Sequence, residues 1–130
     1  MTDDDLIAEA RAAREGAYAP YSKFFVGAAV LAADGRVFRG CNVENASYGL
    51  CNCAERTAIF SAVAAKERNL QCVVVYTPTP TATAPCGACR QVIFEFGPTA
   101  RVISFSAGRE TIDTTITDLL PAAFGPANLA

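Results

Sequence analysis

Two cysteine-containing segments place the strongest constraint on how this chain can fold. The first is Cys53-Ala54-Glu55 and the second is Pro85-Cys86-Gly87-Ala88-Cys89, in a chain that contains no histidine. Together they supply three thiolates and one carboxylate, the groups needed to hold a zinc ion and move a proton beside it. A C-x-x-C pattern alone is weak support, because it also occurs in redox sites and structural zinc ribbons. The combination is more specific, and it requires a fold that brings both segments together.

The size and composition of the chain predict one globular domain over residues 1–130. A chain of 130 residues can bury a core without cross-links. Its content of 52% hydrophobic and 18% charged residues is typical of globular proteins, and its apolar runs are too short or too interrupted to cross a bilayer. The acidic first residues, Met1 to Asp5, are the reverse of a basic secretory signal. We therefore expect a soluble protein in the cytoplasm.

The net charge of the chain narrows the class of substrate. The formal net charge is −2, and the Lys and Arg residues are scattered singly among acids. Because proteins that bind nucleic-acid backbones carry basic patches, we expect a small substrate and no nucleic-acid partner.

In a reducing compartment cysteines remain free thiols or bind metals. Cys41, Cys51 and Cys72 are interpreted as packing residues, with Cys51 the one that could act as a spare or competing ligand.

The first part of the sequence predicts a helix followed by a β-hairpin. Apolar residues at helical spacing run from about Asp3 to Tyr18, with acids at the start, and this helix should end before Pro20. Two apolar segments, residues 25–33 and 37–43, are separated by Asp34-Gly35. This pattern is a strong hairpin signal, so two antiparallel strands are expected.

The rest of the chain alternates helices and strands. Helix formers fill residues 54–66, and apolar side chains at helical spacing run through residues 86–96. Residues 70–76 are rich in β-branched side chains and predict a central strand covered on both faces, while 101–105 and 110–116 predict further strands. This order of elements predicts an α/β fold with three layers, α/β/α, and a mixed central sheet of about five strands.

Both cysteine motifs are predicted to lie where a loop enters a helix. The positive ends of the two helix dipoles would lower the pKa of the thiols and favour thiolates. Three thiolates around Zn²⁺ sum to about −1, which weakens the ability of the ion to acidify water. Arg56 beside the first motif, together with the helix N-termini, is the candidate that offsets this charge. With three ligands evident, the fourth position is left for water, as in catalytic zinc sites.

Glu55 lies two residues after the first cysteine of the motifs, within reach of a water in that fourth position. A carboxylate there can collect the proton of the water and deliver it elsewhere. The alternative is a solvated glutamate that stabilises the first turn of its helix. Because three spaced cysteines accompany it, we favour the general acid/base role.

The cysteine motifs and their flanking segments resemble the small zinc-dependent cytidine deaminases of the short-chain, homotetrameric type, whose Cys-only signature they match. The resemblance covers most of the chain. The matching segments are Tyr21-Ser22-Lys23-Phe24, Gly40-Cys41-Asn42-Val43-Glu44-Asn45-Ala46-Ser47-Tyr48, Cys53-Ala54-Glu55-Arg56 and Pro85-Cys86-Gly87-Ala88-Cys89-Arg90-Gln91. The resemblance implies a cytidine-deaminase-like fold and one Zn²⁺ per subunit, held by Cys53, Cys86 and Cys89. It also implies Glu55 as the proton shuttle.

The same resemblance implies which residues bind the substrate. Asn42 and Glu44 are similar to groups that hydrogen-bond the ribose hydroxyls. Phe24 is similar to the ring that packs on the pyrimidine, and the backbone of Ala54 to the group that binds the base edge. Without the resemblance, Phe24 would be a core aromatic, and Asn42 and Glu44 would be turn residues. A carboxylate that accepts two hydroxyl bonds would discriminate strongly against analogues that lack them.

The resemblance further implies a homotetramer with pockets shared between subunits. Tyr48 and Phe124 resemble residues that complete the pocket of a neighbouring subunit. Phe124 stands beside Gly125-Pro126, so it could equally be a tail aromatic that packs on its own subunit.

The activity that the resemblance implies is zinc-dependent hydrolytic deamination of cytidine and deoxycytidine to uridine and deoxyuridine plus ammonia, in pyrimidine salvage. A zinc-activated hydroxide attacks C4 of the ring, and Glu55 moves the proton. With no phosphate cradle evident, nucleosides are expected over nucleotides. Two alternatives stay open. One is a deaminase of modified cytosine nucleosides, and the other is a non-catalytic zinc module in which a fourth thiolate such as Cys51 closes the metal site.

Overall fold

A mixed five-stranded sheet forms the middle layer of the protein. The computed structural model describes residues 1–129. Its strands are β1 (Gly27–Ala32), β2 (Val37–Cys41), β3 (Leu70–Thr77), β4 (Arg101–Ser106) and β5 (Thr111–Thr115). They lie in the order β2-β1-β3-β4-β5, with β3 parallel to β4 and the other neighbours antiparallel. The β-branched strand β3 therefore occupies the centre of the sheet, as predicted.

Helices join the strands and cover the sheet. They are α1 (Asp3–Ala13), α2 (Ala54–Ala64), α3 (Gly87–Phe96) and the short α4 (Ile116–Leu119). Among the described residues, three 3₁₀ turns complete the regular structure, at Arg14–Gly16, Tyr48–Leu50 and Pro126–Asn128. No helix within residues 1–129 is long and apolar enough to cross a membrane.

Each face of the sheet has its own hydrophobic core. On one face, Ala29 and Val74 pack with Leu6 of α1. On the other, Val73 and Val75 belong to a larger cluster with residues of α2 and α3. Successive residues of a strand point to opposite faces, so the apolar run in β3 serves both cores. The predicted three-layer α/β/α arrangement is confirmed.

Helix α1 is shorter than its hydrophobic spacing predicts. Thr2 begins it with a capping box, in which the Thr2 hydroxyl accepts from the Asp5 N–H and the Asp5 carboxylate accepts from the Thr2 N–H. The helix ends at Ala13 and continues as a 3₁₀ turn to Gly16, a residue of low helix propensity. The Nε–H of Arg14 donates to the Phe25 carbonyl at 2.8 Å and ties this end of the helix to the segment before β1.

The two cysteine motifs lie at the N-termini of α2 and α3, as predicted. Cys53 is the N-cap residue of α2 and Cys86 is the N-cap residue of α3. The two helices contact each other on the same face of the sheet. This packing brings together segments that are distant in the sequence.

Close packing of α2 on β2 depends on the glycine at position 40. A Cβ atom added there would collide with the backbone of Ala54 and Ala58 in α2. Since backbone cannot move aside as a flexible side chain can, we expect Gly40→Ala to lower the free energy of unfolding by about 2 kcal/mol or more. Chemical denaturation measures this loss. Gly49→Ala is the matched control, because an added Cβ there meets no atom within 4 Å. Equal stability of the two variants would contradict the close contact.

Candidate metal centre and adjoining pocket

Three cysteine sulfurs converge where α2 and α3 begin. The Sγ atoms of Cys53, Cys86 and Cys89 all lie within 4.8 Å of one another, and those of Cys53 and Cys86 are 3.8 Å apart. Cys89 is fully buried in the first turn of α3, Cys53 is half-buried and Cys86 is exposed. The structure thus brings together all three predicted ligands.

The spacing of these sulfurs fits a zinc ion. A tetrahedral ion with Zn–S bonds of about 2.3 Å holds two sulfurs about 3.8 Å apart, which is the separation between Cys53 and Cys86. Cysteine thiolates are preferred ligands of zinc. Within the described residues, the cluster that can hold a metal consists of these three cysteines alone. A tetrahedral ion bound there has one position left for a further ligand, as the sequence predicts.

Contacts within the cluster favour a thiolate at Cys53. Hydrogen bonds from the Cys89 thiol and from Arg56 lower the pKa of Cys53 to about 5. The pKa of Cys89 is raised in turn, because its thiol donates to Cys53 and lies buried. In the metal-free protein these opposite shifts favour a thiolate at Cys53 and a protonated thiol at Cys89. Metal binding displaces that proton, since only thiolates ligate zinc.

Arg56 is the cation of the cluster. Its Nη2 lies 3.4 Å from the Cys53 sulfur and donates to it. This hydrogen bond raises the pKa of Arg56, so the guanidinium stays charged. Hydrogen bonds to a ligand sulfur draw electron density away from the metal. Arg56 thus contacts the cluster, and its role in offsetting the negative charge of three thiolates stays a prediction.

Glu55 is a buried carboxyl group beside the cluster. It lies in the first turn of α2 and is only 5% exposed. Burial raises the pKa of Glu55 to about 7, and the negative charge of Cys53 acts in the same direction. A solvated residue at the start of a helix would keep an ordinary pKa. The burial of Glu55 therefore favours the acid/base role over the helix-stabilising alternative.

A small pocket adjoins Glu55 and the cysteines. Its volume is about 180 Å³, smaller than the roughly 300–1,000 Å³ of typical drug-sized sites. It is lined by Phe24, Val26, Asn42, Cys53, Ala54, Glu55, Val75, Thr77, Thr83, Ala84 and Cys86. The wall is mostly apolar, with polar side chains from Asn42, Glu55, Thr77 and Thr83. Such a pocket suits one small, flat, partly polar ring.

Phe24 and Asn42 are held together at this pocket. The Asn42 side-chain amide donates to the Phe24 carbonyl at 2.6 Å, and its Oδ1 accepts from the Val26 N–H at 2.9 Å. Asn42 thus fixes the backbone on both sides of Phe25. Phe24 is 38% exposed and lines the pocket. Both predicted binding residues line the pocket, and Asn42 also has a structural role that its sequence context did not reveal.

Glu44 and Tyr48 lie in a separate cleft of about 270 Å³. The cleft is lined by Tyr21, Ser22, Glu44, Tyr48 and Cys51. Tyr48 is 73% exposed and packs edge-on against Tyr21, with 6.0 Å between the ring centroids. Hydrogen bonds from Ser22 lower the pKa of Glu44, which therefore stays ionised and accepts hydrogen bonds. The structure places these two predicted residues beside the pocket but not in its wall.

Phe124 lies outside both the pocket and the cleft. Its side chain is 59% exposed, and its carbonyl accepts a 2.8 Å hydrogen bond from the Gln91 side chain in α3. The backbone of the tail is thus attached to α3 of the same chain, while the ring is largely exposed. The role of Phe124 in a neighbouring subunit stays a prediction.

The remaining cysteines lie apart from the cluster. Cys72 is buried on the α1 face of the sheet. Burial raises the pKa of its thiol to about 11, and that of the Cys41 thiol is raised for the same reason. Cys51 lies in the cleft beside Glu44, where its sulfur accepts from the Asn45 N–H at 3.3 Å. Cys51 is not a member of the three-sulfur group, which argues against a closed four-thiolate site.

Sequence reasoning missed five of the residues that line the pocket. Val26 and Val75 form part of its apolar wall, and their β-branched side chains look like ordinary core residues in the sequence. Thr77, Thr83 and Ala84 come from the end of β3 and the loop that follows it. Their position after the predicted central strand was a signal for these three residues, because ligands bind beyond the carboxyl ends of central strands in α/β sheets.

Similarity to known proteins agrees with this geometry. The family model described as the cytidine and deoxycytidylate deaminase zinc-binding region matches residues 1–106. A cytidine deaminase from Sporosarcina psychrophila is 47% identical, with 100% of this chain and 96% of that protein covered. One from Halalkalibacterium halodurans is 51% identical over 92% of this chain and 91% of its own. The crystal structure of cytidine deaminase from Burkholderia pseudomallei has a TM-score of 0.92 and 57% identity, and covers 95% of this chain and 100% of its own. The chain therefore belongs to the cytidine and deoxycytidylate deaminase family.

Proposed function

We propose that this chain is a zinc-dependent deaminase that converts cytidine and deoxycytidine to uridine and deoxyuridine with release of ammonia. The observation that carries the proposal is the position of Glu55, a buried carboxyl group beside three converging cysteine sulfurs at a small pocket. The proteins at 47% and 51% identity that are named cytidine deaminases support the choice of substrate.

Zinc is the cofactor, and Cys53, Cys86 and Cys89 would hold it. When bound, zinc supplies a Lewis acid that lowers the pKa of water and so provides a nucleophile at neutral pH. Arg56 neutralises part of the thiolate charge through its contact with the Cys53 sulfur. Glu55 takes up the proton that the attacking water loses. It then delivers this proton to N3 of the pyrimidine and assists the departure of ammonia from C4.

The rest of the pocket orients the ring. Phe24 packs on the pyrimidine, and the backbone of Ala54 at the start of α2 binds its polar edge. Asn42 and Glu44 then bind the ribose hydroxyls at the boundary between pocket and cleft. Glu44 is suited to this role because its ionised carboxylate is an acceptor for hydroxyl groups.

The oligomeric state, cellular location and metabolic role of the enzyme form part of the same proposal. We infer a single domain that assembles into a homotetramer, in which Tyr48 and Phe124 complete the pockets of neighbouring subunits. Their exposed aromatic rings, 73% and 59% accessible, support this assignment. We place the enzyme in the cytoplasm, because a reducing compartment preserves thiolate ligands. The proposed conversion of cytidine to uridine places it in pyrimidine salvage.

Comparison of substrates tests the preference for nucleosides. Loss of ultraviolet absorbance is measured for cytidine, deoxycytidine and deoxycytidine monophosphate under the same conditions. No Lys or Arg side chain lines the pocket or the cleft within residues 1–129, and the Glu44 carboxylate would repel a phosphate. We therefore expect kcat/KM for the nucleotide to be lower by about tenfold or more than for either nucleoside. A preference for the nucleotide would contradict the proposal.

A further inference from the structure

The hydroxyl group of Ser22 joins the cleft to the pocket. It donates to Oε2 of Glu44, and it accepts a 3.0 Å hydrogen bond from the N–H of Phe24. Glu44 lines the cleft, whereas Phe24 lines the pocket beside the cysteine cluster. A single hydroxyl therefore connects the carboxylate assigned to the ribose with the backbone that carries the ring assigned to the base.

The segment that carries Phe24 needs this support. Oε1 of Glu44 accepts from the backbone N–H groups of Tyr21 and Ser22, at 3.0 Å and 3.1 Å. Lys23, the next residue, has φ +60° in the left-handed region, which costs free energy for a residue that is not glycine. The Ser22 hydroxyl bridges this strained residue, because Ser22 precedes Lys23 and its hydroxyl accepts from the N–H of Phe24, which follows Lys23. Without the bridge, the conformation at position 23 has fewer contacts to maintain it.

The other side of Phe24 has a separate anchor. The side chain of Asn42 bonds to the Phe24 carbonyl and to the Val26 N–H. Asn42 therefore fixes the chain after Phe24, and Ser22 fixes it before Phe24. Removal of the Ser22 hydroxyl leaves one of the two anchors in place, so the segment should loosen without general unfolding.

We propose that Ser22 is a positioning residue, which holds Phe24 over the pocket by linking its backbone to Glu44. This inference rests on the proposed function for the role of the ring, while the link itself is a property of the free protein. It gives Glu44 a second task. The carboxylate organises the segment that presents Phe24, in addition to accepting hydroxyl groups of a ligand.

A pair of cytosine nucleosides distinguishes positioning of Phe24 from a direct effect on the ribose contact. Cytidine carries 2′- and 3′-hydroxyl groups, and 2′,3′-dideoxycytidine carries neither. If Ser22 acts through Phe24, Ser22→Ala raises the KM of cytidine and the inhibition constant of dideoxycytidine alike. We expect about tenfold for each, the effect of losing a hydrogen bond to a charged group. The value of kcat should change little, because uniform binding is lost and not the chemistry.

Two further variants complete the kinetic experiment. Ser22→Thr keeps the hydroxyl and should restore the affinity for both nucleosides. Ser61→Ala is the matched control, since that hydroxyl donates to the Thr57 carbonyl at 2.9 Å on an exposed part of α2. A change confined to cytidine would overturn the proposal in favour of a ribose contact alone. Unchanged affinity for both nucleosides would also overturn it, whatever the melting temperature.

Hydrogen exchange tests the link without any substrate. In the zinc-loaded protein, Ser22→Ala should speed amide exchange over residues 21–24 by about tenfold and leave α2 unchanged. Unchanged exchange over residues 21–24 would overturn the proposal even if affinity falls. The two kinds of failure are distinguishable. A wild-type protein that does not deaminate cytidine refutes the proposed function, while the exchange measurement still decides whether Ser22 holds Phe24.

Discussion

Glu55→Gln is expected to bind zinc normally and to deaminate cytidine about 10²- to 10⁴-fold more slowly than the wild-type protein. The amide has nearly the shape of the carboxyl group, so the pocket and the cysteine cluster should remain intact. It cannot take up a proton from water and deliver it to the ring. The loss should therefore appear in kcat, measured from ultraviolet absorbance, while zinc content measured by elemental analysis stays at one per chain.

The control for this variant is Glu95→Gln, which changes an exposed carboxylate on α3. We expect it to retain the activity of the wild-type protein, because Glu95 does not line the pocket. Near-normal turnover by Glu55→Gln would contradict the assignment of Glu55 as the proton carrier. A fall in its zinc content would show instead that the residue supports the metal site.

Cys89→Ala is expected to lose zinc and activity together. Cys89 is the fully buried member of the cluster, and its removal leaves two thiol groups for the metal. Because metal binding and folding are coupled, the melting temperature should also fall. We expect less than about one tenth of the wild-type zinc content and no measurable deamination, by elemental analysis and absorbance on the same preparation.

Cys72→Ala is the matched control, since that residue is also buried but lies on the opposite face of the sheet. It should lose some stability, because a buried side chain is shortened, and it should keep both zinc and activity. Full zinc occupancy in Cys89→Ala would mean that Cys89 is not a ligand. Loss of zinc in Cys72→Ala would mean that metal retention reports only on general stability.

Much of the scaffold could be predicted because local patterns and the global fold agree. The β-branched run at Val73-Val74-Val75 indicated the sheet centre, and Asp34-Gly35 indicated the hairpin between β1 and β2. The cysteine motifs gave the clearest functional signal, since Cys53 and Cys86 occupy N-cap positions of two helices that pack together. In each case the signal is a short run of neighbouring residues, although the fold brings two such runs together at the cysteine cluster.

Features that depend on distant contacts were not predictable in this way. The short end of α1 reflects its junction with β1, where a Cβ on Gly27 would collide with the helix backbone. Val75 in β3 and Val26, the residue just before β1, meet at the pocket only because β1 and β3 pair beneath α2. The sequence also gave no sign that Glu44 and Asn42 bind backbone on either side of Phe24, because those partners lie some 20 positions away.

The shifted pKa values of the site predict how zinc binding depends on pH. In the metal-free protein the pKa of Cys53 is lowered to about 5, the pKa of Cys89 is raised, and burial raises the pKa of Glu55 to about 7. Metal binding requires all three sulfurs as thiolates, so the proton on Cys89 must leave as the ion enters. Zinc affinity should therefore rise with pH, as measured by competition with a chelating dye.

The most direct test of a zinc-dependent deaminase is the loss of ultraviolet absorbance when purified protein is mixed with cytidine, before and after removal of metal by a chelator. We expect rapid loss with the zinc-loaded protein, no loss after chelation, and recovery when zinc is returned. Absence of turnover by folded protein that contains one zinc per chain would contradict the proposed function. Turnover that survives complete removal of the metal would contradict the role of the three cysteines.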